Sequence, residues 1–216
     1  MDQDELDLRR RIIGQCRWMN DEGLNQGTSG NISARFGDRM LITPTSVAYD
    51  ALEPEMLASM PLAGHGAWEG PLKPSTEWRF HLDVLRARPD ANAVVHTHAT
   101  YCTALAITRR GIPPVHYMIA AFGGDIRCAD YATFGTEELS KAALRALDGR
   151  NGCLLANHGM IVFGPNLDRA MWLAVELETL ARQYFNTLMI GGAAVLSPAQ
   201  IDEAARGMRG YGVQSG

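Results

Sequence analysis

The sequence predicts an α/β fold, one domain over residues 1–216 with a mixed or antiparallel sheet covered by helices. Segments of helical period alternate with short strand-like runs along the whole chain. An early hairpin pattern around Gly37-Asp38 argues against a purely parallel sheet. No internal repeat, low-complexity tract or interdomain linker interrupts the pattern, and 216 residues suit a single core better than two.

From the N-terminus, Leu8, Ile12, Ile13, Cys16 and Met19 recur near helical spacing, so an amphipathic helix is expected over Leu6 to Asn20. A glycine-rich turn follows from Gly23 to Asn31, then strands over Ile32 to Phe36 and Arg39 to Ile42. Gly64 to Pro74 carries three glycines and two prolines and reads as a loop. Ser75 or Thr76 can cap a helix running to about Arg88, where Pro89-Asp90 ends it. A strand over Ala93 to His98 leads into a small helix from Thr100 to Ile107, and Gly111 to Pro114 breaks the pattern. Thr136 to Leu147 is helical, with Glu137 and Glu138 favourably placed against the dipole of its first turn. Cys153 to Ala156 and Met160 to Phe163 read as strands flanking Asn157-His158-Gly159, and a long helix covers Leu167 to about Ile190. Ser197-Pro198-Ala199-Gln200 is a capping box with proline at the first helical position, opening a last helix. The tail over 209–216 is expected to be mobile.

Composition excludes several classes. A net charge of −4 supplies no general attraction for nucleic acid or an anionic membrane, so an anionic ligand would need a local site. No apolar stretch approaches a membrane span, and the acidic start Met1-Asp2-Gln3-Asp4-Glu5 lacks the form of a signal peptide. A cytoplasmic protein is the expectation. Cys16, Cys102, Cys128 and Cys153 include no C-x-x-C pair and read as small buried side chains.

His96-Thr97-His98 is the strongest local signal. Residues two apart on a strand share a face, so both imidazoles can reach one point while Thr97 turns away. Two histidines so placed are half of a zinc site; their plain structural alternative is a polar pair at an exposed strand end. His158, at the turn after an apolar strand, can supply a third ligand from a second segment, or simply bond to backbone. Three histidines would leave a fourth position open, as catalytic zinc requires. Glu77 is the candidate acid/base, although a glutamate in a first turn is ordinarily just a dipole partner. Gly27 to Asn31, Thr43 to Ser46, and Ser75-Thr76 offer backbone N–H groups and hydroxyls suited to phosphate, and none includes Lys or Arg. Tyr117 and Tyr211 could each move a proton; by themselves they read as amphipathic residues at a core edge or interface. His65, His81 and His116 have no partner at ligand spacing and are read as structural or solvated.

The runs GLNQGTSGN at 23–31, LITPT at 41–45, PSTEWRFH at 74–81, RPDANAVVHTH at 88–98, HYMIAA at 116–121, YATFGT at 131–136 and NHG at 157–159 occur in one order over nearly the whole chain. Together they resemble the class II aldolase/adducin family. The resemblance implies an α/β domain around a largely antiparallel sheet, assembled as a homotetramer with sites between subunits. It implies zinc held by His96, His98 and His158, with Glu77 as a further ligand when substrate is absent, and a phosphate pocket of Gly30, Asn31, Thr45, Ser46, Ser75 and Thr76. It implies that Tyr117 acts as a proton donor from a neighbouring subunit and that Tyr211 lies on a tail closing over substrate. The implied reaction splits a ketose 1-phosphate, of the L-fuculose type, 5-deoxyribulose type or methylthioribulose type, into dihydroxyacetone phosphate and an aldehyde. Family epimerases and decarboxylases are the rivals; the epimerase motif ends in aspartate where this chain has Glu77. A non-catalytic adducin-like module would have no need of the histidines. Ser46 stands where close family members carry glycine, and Thr76 where serine is usual.

Overall fold

A computed structural model describes residues 1–64 and 66–208. Its strands are β1 (Asn31–Phe36), β2 (Arg39–Ile42), β3 (Ala58–Pro61), β4 (Ala93–Thr97), β5 (Cys128–Ala129), β6 (Gly152–Leu155) and β7 (Gly159–Gly164). The helices are α1 (Gln3–Asp21), α2 (Trp78–Ala87), α3 (Thr100–Ile107), α4 (Glu137–Ala146), α5 (Leu167–Met189) and α6 (Pro198–Met208). The strands form one sheet in the order β3-β2-β1-β4-β7-β6-β5. Every pairing is antiparallel except β5 with β6, so the sheet is mixed and mostly antiparallel.

Strand alternation sorts the core into two layers. Ile32, Ala34, Leu41, Val95, Met160 and Val162 pack with α1, α3 and α5 on one face. Met40, Ile42, Val94, Ile161 and Phe163 pack with α2 and α4 on the other. Helix α5 buries Leu167, Ala170, Met171, Leu173, Ala174, Leu177 and Leu180, the three-and-four spacing of a core-facing stripe. Each fully buried leucine in it contributes about 1.5–3 kcal/mol. No helix among the described residues is long and apolar enough to cross a membrane.

The early hairpin, the two strands around Asn157–Gly159 and the long helix form where the spacing placed them. The capping box holds too: the Ser197 N–H donates to Gln200 Oε1 at 2.8 Å, and the Gln200 N–H donates to Ser197 Oγ at 3.4 Å. Cys16, Cys102 and Cys153 are buried, Cys128 half-buried, and all four are free thiols.

Three features differ. Strand β3 was not expected, because Ala58-Ser59-Met60-Pro61 lacks β-branched residues; it forms at the sheet edge, where Pro61 need not donate to a further strand. Strand β5 has only two residues, too few for any periodicity. Helix α2 begins at Trp78, so Glu77 occupies the N-cap position, and neither Ser75 nor Thr76 caps it. The mobile tail expected over 209–216, Tyr211 included, lies outside the described residues, as does His65.

Candidate active site

The face of the sheet that carries Val94 and Ile161 also carries His96, at the C-terminal end of β4. Across the register, Asn31 of β1 pairs with His96, and Ile161 of β7 pairs with it on the other side. His98 lies just beyond the strand, two residues on. Helix α3 then starts without a side-chain cap at Ala99; instead the Glu178 carboxylate, reaching over from α5, accepts the N–H groups of Tyr101 and Cys102 at 2.8 Å each.

His158 arrives from the β6–β7 turn. Asn157 adopts a left-handed φ of 55°, a conformation asparagine tolerates better than most residues. Its N–H donates to the Ala106 carbonyl at 3.0 Å and its side-chain oxygen accepts from Arg109 at 3.2 Å, pinning the turn to the end of α3. The outcome is convergence: the imidazole centroids of His96, His98 and His158 lie 4.8–5.1 Å apart, and their candidate ligand atoms all fall within 4.8 Å of one another.

Glu77 completes the cluster. Its Oε2 lies 3.2 Å from His96 Nε2 and its Oε1 3.0 Å from His158 Nε2. These separations would pass for ion pairs, yet Glu77 Oε1, His96 Nε2 and His98 Nε2 are buried and lack any partner with hydrogen-bond geometry. Groups so close, so dry and so poorly aligned with each other are arranged around a common point, not paired. His96 is also in the right tautomer for a ligand, since its Nδ1 bonds to the Met160 carbonyl at 2.8 Å and leaves Nε2 as a lone pair. Three imidazole nitrogens and a carboxylate oxygen fit a divalent transition metal.

The electrostatics follow from burial. Burial alone would push the Glu77 carboxyl up; the imidazoles of His96 and His158 override it and hold the group well below the usual carboxylate range. Burial, then the neighbouring His96 and His158, brings His98 down to about 4, so its imidazole is neutral near pH 7.

A cavity of about 290 Å³ opens onto this cluster, lined by Thr76, Glu77, His98, His158, Tyr131 and Phe134 among others. Thr76 is therefore beside the cluster. Gly30, Asn31, Thr45, Ser46 and Ser75 do not line the cavity. The turn after β2 is nonetheless tied to the segment before α2: the Ser75 N–H donates to the Thr43 carbonyl at 2.9 Å, and the Thr45 N–H to the Lys73 carbonyl at 3.2 Å. Ser46 holds a left-handed φ of 58°, a conformation that glycine adopts without strain. At Gly30 a Cβ would stand 2.7 Å from the His96 carbonyl oxygen, so the residue is small because two strands meet there. Tyr117 is 55% exposed and borders a different cavity with Met118, Arg169 and Trp172. A larger cavity of about 770 Å³ near Arg109, Arg127 and Arg150 lacks the histidines, and its arginines are committed to Asn157, to helix-end carbonyls and to Asp125.

His81, left as structural or solvated by its spacing, is structural, and its place beside the cluster is what sequence reasoning did not foresee. It is fully buried, with Nδ1 2.8 Å from Ser33 Oγ and Nε2 2.5 Å from Asn31 Oδ1. A usable signal existed: His81 follows Glu77 by four residues, which on a helix places both on one face. His116 caps its own turn, its Nδ1 accepting from the Met118 N–H at 3.2 Å.

Comparison with known proteins agrees with this geometry. Residues 10–185 match the family described as Class II Aldolase and Adducin N-terminal domain. The chain is 48% identical over 206 residues to the 5-methylthioribulose-1-phosphate/5-deoxyribulose-1-phosphate aldolase of Rhodospirillum rubrum, covering 95% of this chain and 92% of that protein. It is also 48% identical over 209 residues to the L-fuculose phosphate aldolase of Escherichia coli K12, covering 96% of each. A solved structure of an L-fuculose 1-phosphate aldolase superposes with a TM-score of 0.91 at 35% identity, covering 94% of this chain and 96% of that one. With its open seven-stranded sheet and its converging histidines, the chain belongs to the class II aldolase and adducin family and is a metal-dependent carbon–carbon lyase of the aldolase type.

Proposed function

We propose that this protein is a zinc enzyme that cleaves a ketose 1-phosphate into dihydroxyacetone phosphate and an aldehyde. The observation that carries the reading is the convergence of three imidazoles and Glu77 on one point, with buried nitrogens left without partners. His96, His98 and His158 would hold the ion, with Glu77 as a further ligand before substrate enters. Zinc bound there supplies Lewis-acid stabilisation of the negative charge that develops when the C3–C4 bond breaks.

The chain's own groups supply the rest. Glu77 would carry the proton to and from C3 of the dihydroxyacetone phosphate half. Tyr117 is proposed to handle the C4 hydroxyl proton; it borders a different cavity of its own chain, and the family resemblance implies that it acts from a neighbouring subunit of a homotetramer. Gly30, Asn31, Thr45, Ser46, Ser75 and Thr76 are proposed to form the phosphate end, with Thr76 the member that lines the cavity. Tyr211 is proposed to close over the aldehyde end, from a segment outside the described residues. We place the enzyme in the cytoplasm, where its phosphorylated sugar substrates occur.

Two substrate types are supported equally, since the relatives named for fuculose and for the deoxyribulose and methylthioribulose phosphates are matched at the same identity. All three aldehydes released end in a methyl or methylthio group, and the aromatic side chains of Tyr131 and Phe134 at the cavity suit such ends. The test is a cleavage panel of the three ketose 1-phosphates, with and without a chelator, scoring each aldehyde. A dominant rate on one substrate that the chelator abolishes and zinc restores is the expected result. Chelator-resistant cleavage would overturn the metal reading.

A further inference from the structure

Behind Glu77 runs a line of buried polar groups. Ser33 Oγ lies 2.8 Å from His81 Nδ1, His81 Nε2 lies 2.5 Å from Asn31 Oδ1, and Asn31 Nδ2 lies 3.0 Å from Glu77 Oε2. Ser33 and His81 are fully buried, and Asn31 and Glu77 are only 4% and 5% exposed. We propose that Ser33, His81 and Asn31 form a one-directional hydrogen-bond chain that pins Glu77 Oε2 and leaves Oε1 available, making His81 a positioning residue. The inference rests on the reading of Glu77 as the proton carrier.

The direction of the chain is dictated by its far end. An ionised carboxylate only accepts, so Asn31 must turn its NH₂ toward Glu77 and its oxygen toward His81. His81 must then carry its proton on Nε2, which makes Nδ1 an acceptor and the Ser33 hydroxyl the donor. One tautomer satisfies every group. Burial, reinforced by nearby His96, brings His81 down to about 3, so the imidazole is neutral near pH 7 and cannot donate from both nitrogens.

Simple satisfaction of buried groups would not require the chain to end where it does. Glu77 sits at the N-cap of α2 yet its carboxylate accepts no helix N–H. Asn31 replaces that lost partner at one oxygen, while Oε1, on the His158 side, has no hydrogen-bond partner. A neutral amide fixes the carboxylate in place without the full opposing charge of Lys or Arg, which would weaken it as a base.

The test compares zinc-loaded wild type with His81→Leu, His81→Gln and Ser33→Ala, reading hydrogen exchange on dihydroxyacetone phosphate in deuterium oxide and zinc content. Glutamine can place an N–H where imidazole Nε2 stands; leucine cannot. Expected for His81→Leu is an exchange kcat lower by about 10–100-fold with KM within about twofold, and for His81→Gln recovery of most of that loss. Equal losses in both variants, or a rise in KM at constant kcat, would overturn the proposal. Nitrogen-15 spectra of the metal-free wild type give a readout independent of activity and of variant folding: the Nε2–H tautomer of His81 is required, and the Nδ1–H tautomer sinks the idea. If Glu77→Gln alone exchanges at the wild-type rate, the proton-carrier reading fails separately, and the tautomer still decides whether the chain exists.

Discussion

The Nδ1 of His96 lies 2.8 Å from the carbonyl oxygen of Met160, across the pairing of β4 with β7. That contact uses a strand-end carbonyl to choose the imidazole tautomer, so the sheet itself presents Nε2 to His98, His158 and Glu77. Metal affinity in this fold is therefore tied to strand register.

His158→Ala removes the proposed zinc ligand that the β6–β7 turn supplies. Zinc affinity should fall by more than about 100-fold, beyond what loss of an outer-shell partner costs. Chelator competition measures it, and wild-type affinity in the variant would show that the pair on β4 binds without the third ligand.

Glu77→Gln keeps a side chain of the same size and should retain zinc while losing hydrogen exchange on dihydroxyacetone phosphate. Tyr117→Phe should impair carbon–carbon cleavage more than exchange, by about 10²–10⁴-fold for a lost acid/base group. Equal damage to both steps by the tyrosine change would refute the division of labour.

Gly159→Ala would put a Cβ 2.5 Å from the Thr97 carbonyl oxygen and 3.0 Å from His98 Cδ2. Backbone on one side and the His98 ring on the other leave it nowhere to relax. Denaturant unfolding of the metal-free variant should show a loss of about 1–3 kcal/mol, and an unchanged midpoint would mean that β4 and β7 part freely.

Ser46→Gly acts in the opposite sense. Ser46 holds φ 58°, where a Cβ is strained by about 1–2 kcal/mol, part of which glycine returns through its greater unfolded-chain entropy. A net gain of about 0.5–1 kcal/mol is expected, read as a higher Tm; a lower one would mean that the serine hydroxyl outweighs the strain.

Acid should destabilise the metal-free protein. His81 titrates near 6.5 in the unfolded chain and is brought down to about 3 in the fold, first by burial. Between those values the unfolded state binds the extra proton, so stability is greatest above 6.5 and declines as pH falls toward 3, by up to about 1.4 kcal/mol per pH unit. His98, brought down to about 4, and Glu77, held below the ordinary carboxylate range, act in the same direction. Denaturant midpoints from pH 7.5 to 5 measure the slope, which His81→Gln should flatten; an identical slope in that variant would assign the acid sensitivity elsewhere.

Spacing along the chain by itself determined the six helices and five of the seven strands, the Gly37-Asp38 hairpin, the capping box at Ser197, and the shared face of His96 and His98. These are consequences of local geometry: a period of two or of 3.6 residues decides which side chains point together, whatever the rest of the molecule does. Only the tertiary structure decided that β4 lies between β1 and β7, which brings Asn31, Met160 and His158 to His96 from segments 64 and more positions distant in some cases. It also decided that the cap of α2 falls at Glu77, just after the hydroxyls of Ser75 and Thr76, that β3 and β5 complete the sheet, and that His81, structural or solvated by its spacing alone, is a buried partner of Asn31. Contacts of that kind depend on register and on how helices seat on the sheet, quantities set by the packing of the whole core and carried by no single stretch of residues.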